Sequence, residues 1–190
     1  MNKVLAFFML VPMLFACTNG SSTGQPTSKV SSVAVVSAFE EPEPGAIMLK
    51  VCDSIAAIHP GNNDIARSDA EKDIKSYVLA FKGQHMPLLE ELTYELRGIS
   101  PDAGKYMAAL KYYKSATRHE LGMEVQVRIR MTREEAAKYN EGAKYKVRGI
   151  VKGCPFASTE PYVLAPFVKD FKPHYSFGAI ELTDAELIPQ

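Results

Sequence analysis

The residues with the most obvious chemical potential are four histidines, His59, His85, His119 and His174, and they are scattered along the chain. No two stand at i, i+4, and no carboxylate falls at a spacing that would complete a zinc site, so neither a metal nor a cofactor is expected. Glycine-framed nucleophilic serines, Walker-type phosphate loops and dinucleotide loops do not occur in the sequence. The adjacent carboxylates Glu90 and Glu91, and Glu134 and Glu135, fall where first helical turns are expected, and the helix dipole accounts for them. Ser68 and Ser100 read as helix caps. The pattern points away from an enzyme, with a hydrolase whose site is assembled between the helical and β halves as the alternative.

Charge offers a different kind of site. The whole chain is balanced, with 22 basic and 22 acidic side chains, so its net charge names no polyanionic or polycationic partner. Between Gly104 and Lys152, however, 12 Lys and Arg face 5 Asp and Glu, a net of +7. Tyr106, Tyr112, Tyr113, Tyr139 and Tyr145 are interleaved with these bases. Arg128, Arg130, Lys144, Lys146 and Arg148 fall on the polar faces of two alternating segments, which makes them the candidate ligand face. Such a mixture suits single-stranded nucleic acid, acidic glycans, lipid phosphates or an acidic protein patch. Solvated strand faces with no ligand come first as the explanation of these charges, since exposed faces of antiparallel sheets are commonly charged.

The elements that would position those bases follow from hydrophobic periodicity. Met48, Val51, Cys52 and Ile55 predict a helix that His59 to Asp64 ends. Ser68 and Glu71 fit a capping box for a second helix carrying Ala70, Ile74, Tyr77 and Phe81 as far as Gly83. A third helix is expected from Pro87, with Leu89, Leu92 and Leu96 on one face and Arg97 near its end. Around Pro101 a short helical turn is expected to lead into irregular or extended chain.

From Met123 the period becomes two. Met123, Val125, Val127, Ile129 and Met131 predict the inward face of a strand, with Glu124, Gln126, Arg128 and Arg130 outward. Thr132 and Glu135 fit a capping box for a short helix through Tyr139. A second strand is expected over 144–152, with Tyr145, Val147, Gly149 and Val151 inward. A last one begins near Phe177, with a bend or bulge at Thr183 and Asp184. The predicted class is α+β, helices followed by a small antiparallel sheet or partial OB-like barrel.

The order MEVQVRIRMTREEAAKYNEGAKYKVRGIVKG, with FGAIELTDAELI later, resembles the second half of an OB fold as found in exported bacterial proteins. In that fold a helix bridges the third and fourth strands and a final strand closes the barrel. The resemblance implies a binding fold and carries over no catalytic residue. It departs from the pattern in two ways: two earlier strands are not evident, and the stretch from Phe156 to Ser176 is long for the last connection.

The first residues, MNKVLAFFMLVPMLFAC, resemble the signal peptide of bacterial lipoproteins. Lys3 precedes an uncharged apolar run that is short for a membrane span, and Leu14, Phe15, Ala16 and Cys17 stand where the lipobox would be. Phe15 is bulkier than the residue usual there. The resemblance implies removal of 1–16, acylation at Cys17 and retention in the outer membrane, since Thr18 is not Asp. Ordinary secretion with cleavage near Ala16 is the alternative. The expected organisation is a signal peptide at 1–16, a lipidated, flexible tether at 17–44, and one domain at 45–190. Val33, Val35 and Val36 could add a short edge strand.

The compartment implied by that leader constrains the rest. With Cys17 carrying lipid, Cys52 and Cys154 remain as an even pair, and an oxidising periplasm favours a disulfide between them over a metal site. Two unpaired thiols, one buried and one beside Pro155, are the alternative. Nucleic acid is demoted as a ligand. The expected role is therefore binding or structural, toward an acidic envelope component or a protein partner. The chain would be held to the membrane by its anchor, with its domain facing the periplasm. A periplasmic hydrolase is the second reading.

Overall fold

Met48, Cys52 and Ile55 recur at helical spacing and form the buried stripe of α1 (Ala46–Ile58) in the computed structural model, which describes residues 45–60, 63–154, 160–164 and 170–190. The leader, Cys17, the valine run at 33–36 and Pro155 lie outside the described residues. Gly45 enters α1 with a left-handed φ of 94° and offers no side-chain cap. The first free amides of the helix are met instead by Glu91.

The second helix, α2 (Asp64–Ala80), starts before the expected capping box because Asn63 caps it first, accepting from Ala66 N at 2.9 Å. Ser68 is therefore interior to the helix, and Glu71 accepts from Val163 N at 3.1 Å instead. Ala70, Ile74 and Val78 form its buried face.

The expected third helix lasts only for α3 (Pro87–Glu91), and the chain then extends into β1 (Thr93–Asp102). Leu92, Tyr94 and Leu96 all point inward and are fully buried. A separation of four residues fits both the helical and the extended period, so the leucines alone could not separate them. Ala103 (φ 48°) and Gly104 (φ 80°) then make a tight connection, both in the left-handed region that suits a twisted hairpin. β2 (Lys105–Lys114) pairs back along β1 from Asp102↔Lys105 to Glu95↔Lys111. The helical turn expected at Pro101 is replaced by this hairpin.

The later elements follow the period-two pattern. β3 (Gly122–Met131) buries Met123, Val125, Val127, Ile129 and Met131. The Thr132–Glu135 box is complete, with both reciprocal bonds at the start of α4 (Arg133–Ala136), which ends before the expected Tyr139. β4 (Lys144–Gly153) buries Tyr145, Val147 and Val151. β5 (Tyr162–Leu164) and β6 (His174–Pro189) complete the sheet. At Asp184, φ is 48° and the β4–β6 register slips between Arg148 and Ile150, so the expected bulge is present.

The fold is α+β, with a six-stranded sheet in the order β3-β2-β1-β4-β6-β5. All of these neighbours are antiparallel, and β3 also pairs with β6 in parallel. Leu96, Leu110, Val125, Val147, Phe177 and Ile180 from the sheet share one core with Met48, Ile74 and Leu88 from the helices. Tyr94 is wholly buried there, its hydroxyl donating to Leu89 O at 3.1 Å, which removes the cost of an unpaired buried polar group. All described residues belong to one compact unit.

Candidate functional site

The five bases expected to share a ligand face are divided by the sheet order. Arg128 and Arg130 belong to β3, and Lys144, Lys146 and Arg148 to β4. These strands are not neighbours: β2 and β1 separate them along one path and β6 along the other. Arg130 lies 3.2 Å from Asp102 Oδ2 and 3.4 Å from Glu181 Oε1, whereas Arg148 lies 3.9 Å from Glu90. Lys146 is opposite Thr93, and Lys144 opposite Glu95. Sequence alternation gave each base its polar side but could not reveal which strands would adjoin.

Lys144 belongs to a different constellation. Glu95 on β1 pairs in register with Lys144 on one side and Lys111 on the other, so a basic, acidic, basic row crosses β4, β1 and β2. The β1 register shifts between Leu96 and Gly98, at Arg97, whose Nη1 reaches Glu95 Oε1 at 3.1 Å. Lys111 Nζ stands 5.2 Å from the centre of the Tyr113 ring. Thr93, Glu95, Arg97, Lys111, Tyr113 and Lys144 line an open groove of about 310 Å³. Three cations and one carboxylate line the groove; Arg97 pairs with Glu95, Lys111 turns to Glu124 at 2.9 Å, and hydroxyl and aromatic surface lies beside them.

A second row adjoins the groove. Tyr113, Glu124, Ser176 and Tyr162 are successive register partners across β2, β3, β6 and β5. Glu124, expected on an exposed face, is only 7 % exposed. Its Oε1 accepts from Tyr162 Oη at 2.8 Å and Ser176 Oγ at 3.1 Å, and Lys111 Nζ stands 2.9 Å from Oε2. Burial pushes the carboxyl pKa up, but the bonds from Lys111, Tyr162 and Ser176 outweigh it and hold the group below its ordinary value. His174 Nε2 is 3.9 Å from Glu124 Oε2, and burial pulls its pKa down despite that neighbour. The Ser176 hydroxyl also accepts from Gly178 N at 3.2 Å. This charged carboxylate is a clasp: it gathers donors from three strands and orients Lys111 at the edge of the groove.

No local sequence pattern marks Glu124, Ser176, Tyr162 and Glu181 as site residues. Their signal is long-range register, which a local pattern does not contain. Among the described residues, no three His, Cys, Asp or Glu side chains come together in a way that could hold a metal ion.

Cys52 and Cys154 are both free thiols, so the expected disulfide is not formed. Cys52 is enclosed in the core by α1, and burial pushes its thiol up to about 12. Cys154 is half-buried at the end of β4, with Lys75 and Glu160 as its charged neighbours. Each thiol is accommodated by its own packing, in line with the unpaired alternative.

The chain matches no family model, no curated protein and no solved structure. Among the described residues, no helix is long and apolar enough to cross a membrane.

Proposed function

We propose that this chain is a lipoprotein held in the outer membrane through Cys17, and that its domain is a binding module facing the periplasm. The domain is read as a partial OB-like barrel. Support comes from the pairing circuit β1-β2-β3-β6-β4-β1, with α4 placed between β3 and β4, which is the strand order of a five-stranded OB barrel. On this reading the helices α1 to α3 and the short β5 are additions to that barrel.

The observation that carries the binding role is the groove over β4, β1 and β2. Arg97, Lys111 and Lys144 line it together with Glu95, beside the exposed Tyr113. An anionic envelope component or an acidic protein segment would gain charge-assisted hydrogen bonds from the bases while Glu95 and Thr93 receive and share its hydroxyl or amide groups. The envelope compartment makes nucleic acid an unsuitable ligand.

Crosslinking in intact cells followed by mass spectrometry tests this reading. The wild-type chain should yield a reproducible partner that the double variant Arg97→Glu with Lys144→Glu loses, with both proteins equally folded and abundant. An unchanged set of crosslinked species would overturn the groove as the binding surface.

A further inference from the structure

A cleft of about 440 Å³ opens where the end of α2 faces the strands, and it shares no lining residue with the groove. Leu79 and Lys82 form one side, and Arg130, Lys152, Cys154 and Glu181 the other. Its size lies within the range of about 300–1,000 Å³ usual for small-molecule sites.

We propose that this cleft binds a ring-sized organic anion, a phosphate ester or carboxylate, through Arg130 and Lys152 with Lys82 at the rim. The central observation is that two cations meet at one oxygen. Glu181 is 3 % exposed, and its Oε1 has Lys152 Nζ at 2.9 Å and Arg130 Nε at 3.4 Å. A carboxylate so far removed from water favours keeping its cations close, so the pairing with Glu181 restrains two side chains that are otherwise about half exposed. Anion binding at surface lysines and arginines has to overcome the cost of ordering them, and this pairing lowers it.

The charge balance leaves room for a ligand. Arg130 divides its guanidinium between Glu181 and Asp102, and Lys152 commits to Glu181, yet both retain N–H groups beyond those bonds. Lys82 adds a third positive charge on the opposite wall and is exposed. Three bases thus face two carboxylates, one of them buried at the floor and the other, Asp102, outside the cleft lining. An incoming anion would complete the neutralisation. Leu79 and the Cys154 thiol supply an apolar flank for the carbon ring, which a bare ion would leave unused.

Calorimetric titration of the full chain in detergent, with inorganic phosphate, glucose 6-phosphate and glucuronate as separate probes, tests the site. Saturable binding of glucose 6-phosphate or of glucuronate is expected at millimolar concentration or below, and the arm that binds identifies the headgroup. Either should bind about tenfold more tightly than inorganic phosphate, the ring contributing contacts with Leu79 and Cys154. Lys152→Gln and Lys82→Glu should each weaken binding about tenfold or more, the loss of a charge-assisted contact. The exposed position of Lys82 keeps that variant folded even if Lys152→Gln perturbs Glu181. Absence of saturable binding, equal binding of inorganic phosphate, or insensitivity to both lysine variants would overturn the proposal.

Discussion

The carboxylate of Glu91 closes the start of a helix 44 residues away in sequence: Ile47 N donates to its Oε1 at 2.9 Å and to its Oε2 at 3.1 Å. Met48 N donates to Oε1 as well, at 3.1 Å. A helix beginning at a glycine lacks a local cap, so a negative group from α3 serves both the unpaired amides and the positive end of the dipole. Glu91→Ala should cost about 1–3 kcal/mol, the range for losing charged hydrogen bonds at a helix start. Urea denaturation measures it. Wild-type stability in that variant would show that α1 is held by Met48, Cys52 and Ile55 alone.

Glu124 makes stability depend on pH in a defined direction. Its folded-state pKa is lowered by the donors around it, while in the unfolded chain it returns to the ordinary carboxylate value. Its contribution is therefore fully present above that ordinary value and is lost as pH falls through the lowered folded-state value. Lys111, His174, Tyr162 and Ser176 all face the carboxylate, so Glu124→Gln removes the charge that Lys111 meets. A cost of about 1–3 kcal/mol at neutral pH is expected, together with a flatter decline of stability in acid. Denaturation midpoints of both proteins from neutral pH into the acid limb would check it, and parallel curves would refute it.

These two carboxylates also mark what local pattern can and cannot convey. The Thr132–Glu135 box and the alternation of Met123 to Met131 depend on neighbours within a few residues, and both are found in place. Local pattern makes Glu91 an ordinary first-turn acid and Glu124 a solvated strand residue. Their partners come from α1, β2, β5 and β6, contacts that depend on tertiary assembly. The same reason divides the basic face: alternation assigns Arg130 and Lys144 each to a polar side, but only the order of strands puts one beside Glu181 and the other beside Glu95. Leu92 and Leu96 misled because their spacing serves either period. The groove was thus legible as a composition, bases interleaved with tyrosines, and not as a place.

The close approach of β3 to the start of β6 depends on a missing side chain. A Cβ at Gly122 would collide with His174 Nδ1 and come within 2.8 Å of Ala116 N. The second contact is with backbone, which cannot rotate away. Gly122→Ala should therefore destabilise the protein by about 1–3 kcal/mol, the usual cost of overpacking. It should also disturb His174, visible as a shift of its imidazole resonances by NMR. Gly104→Ala makes a useful contrast, since nothing lies within 4 Å of a Cβ there and only its φ of +80° opposes the change.

The three cysteines should report anchoring and folding in one experiment. Thiolate is the reactive form, and Cys52 is both fully enclosed and pushed up to about 12, so an alkylating reagent should reach it only after unfolding. Cys154 is half-buried, with burial raising its pKa and Lys75 opposing that rise, so it should react slowly in the native protein. Cys17, if acylated as proposed, should not react in either state, because its sulfur would carry a thioether-linked lipid. Alkylation of the membrane-extracted chain before and after denaturation, followed by peptide mass mapping, separates the three. The amino-terminal peptide should begin at Cys17 and carry the mass of a diacylglyceryl group and an amide-linked acyl chain. An alkylated Cys17 would remove the anchor, and with it the argument that turns the basic groove away from nucleic acid. A Cys52–Cys154 disulfide peptide would instead contradict the packing that encloses Cys52 in the core and leaves Cys154 beside Lys75.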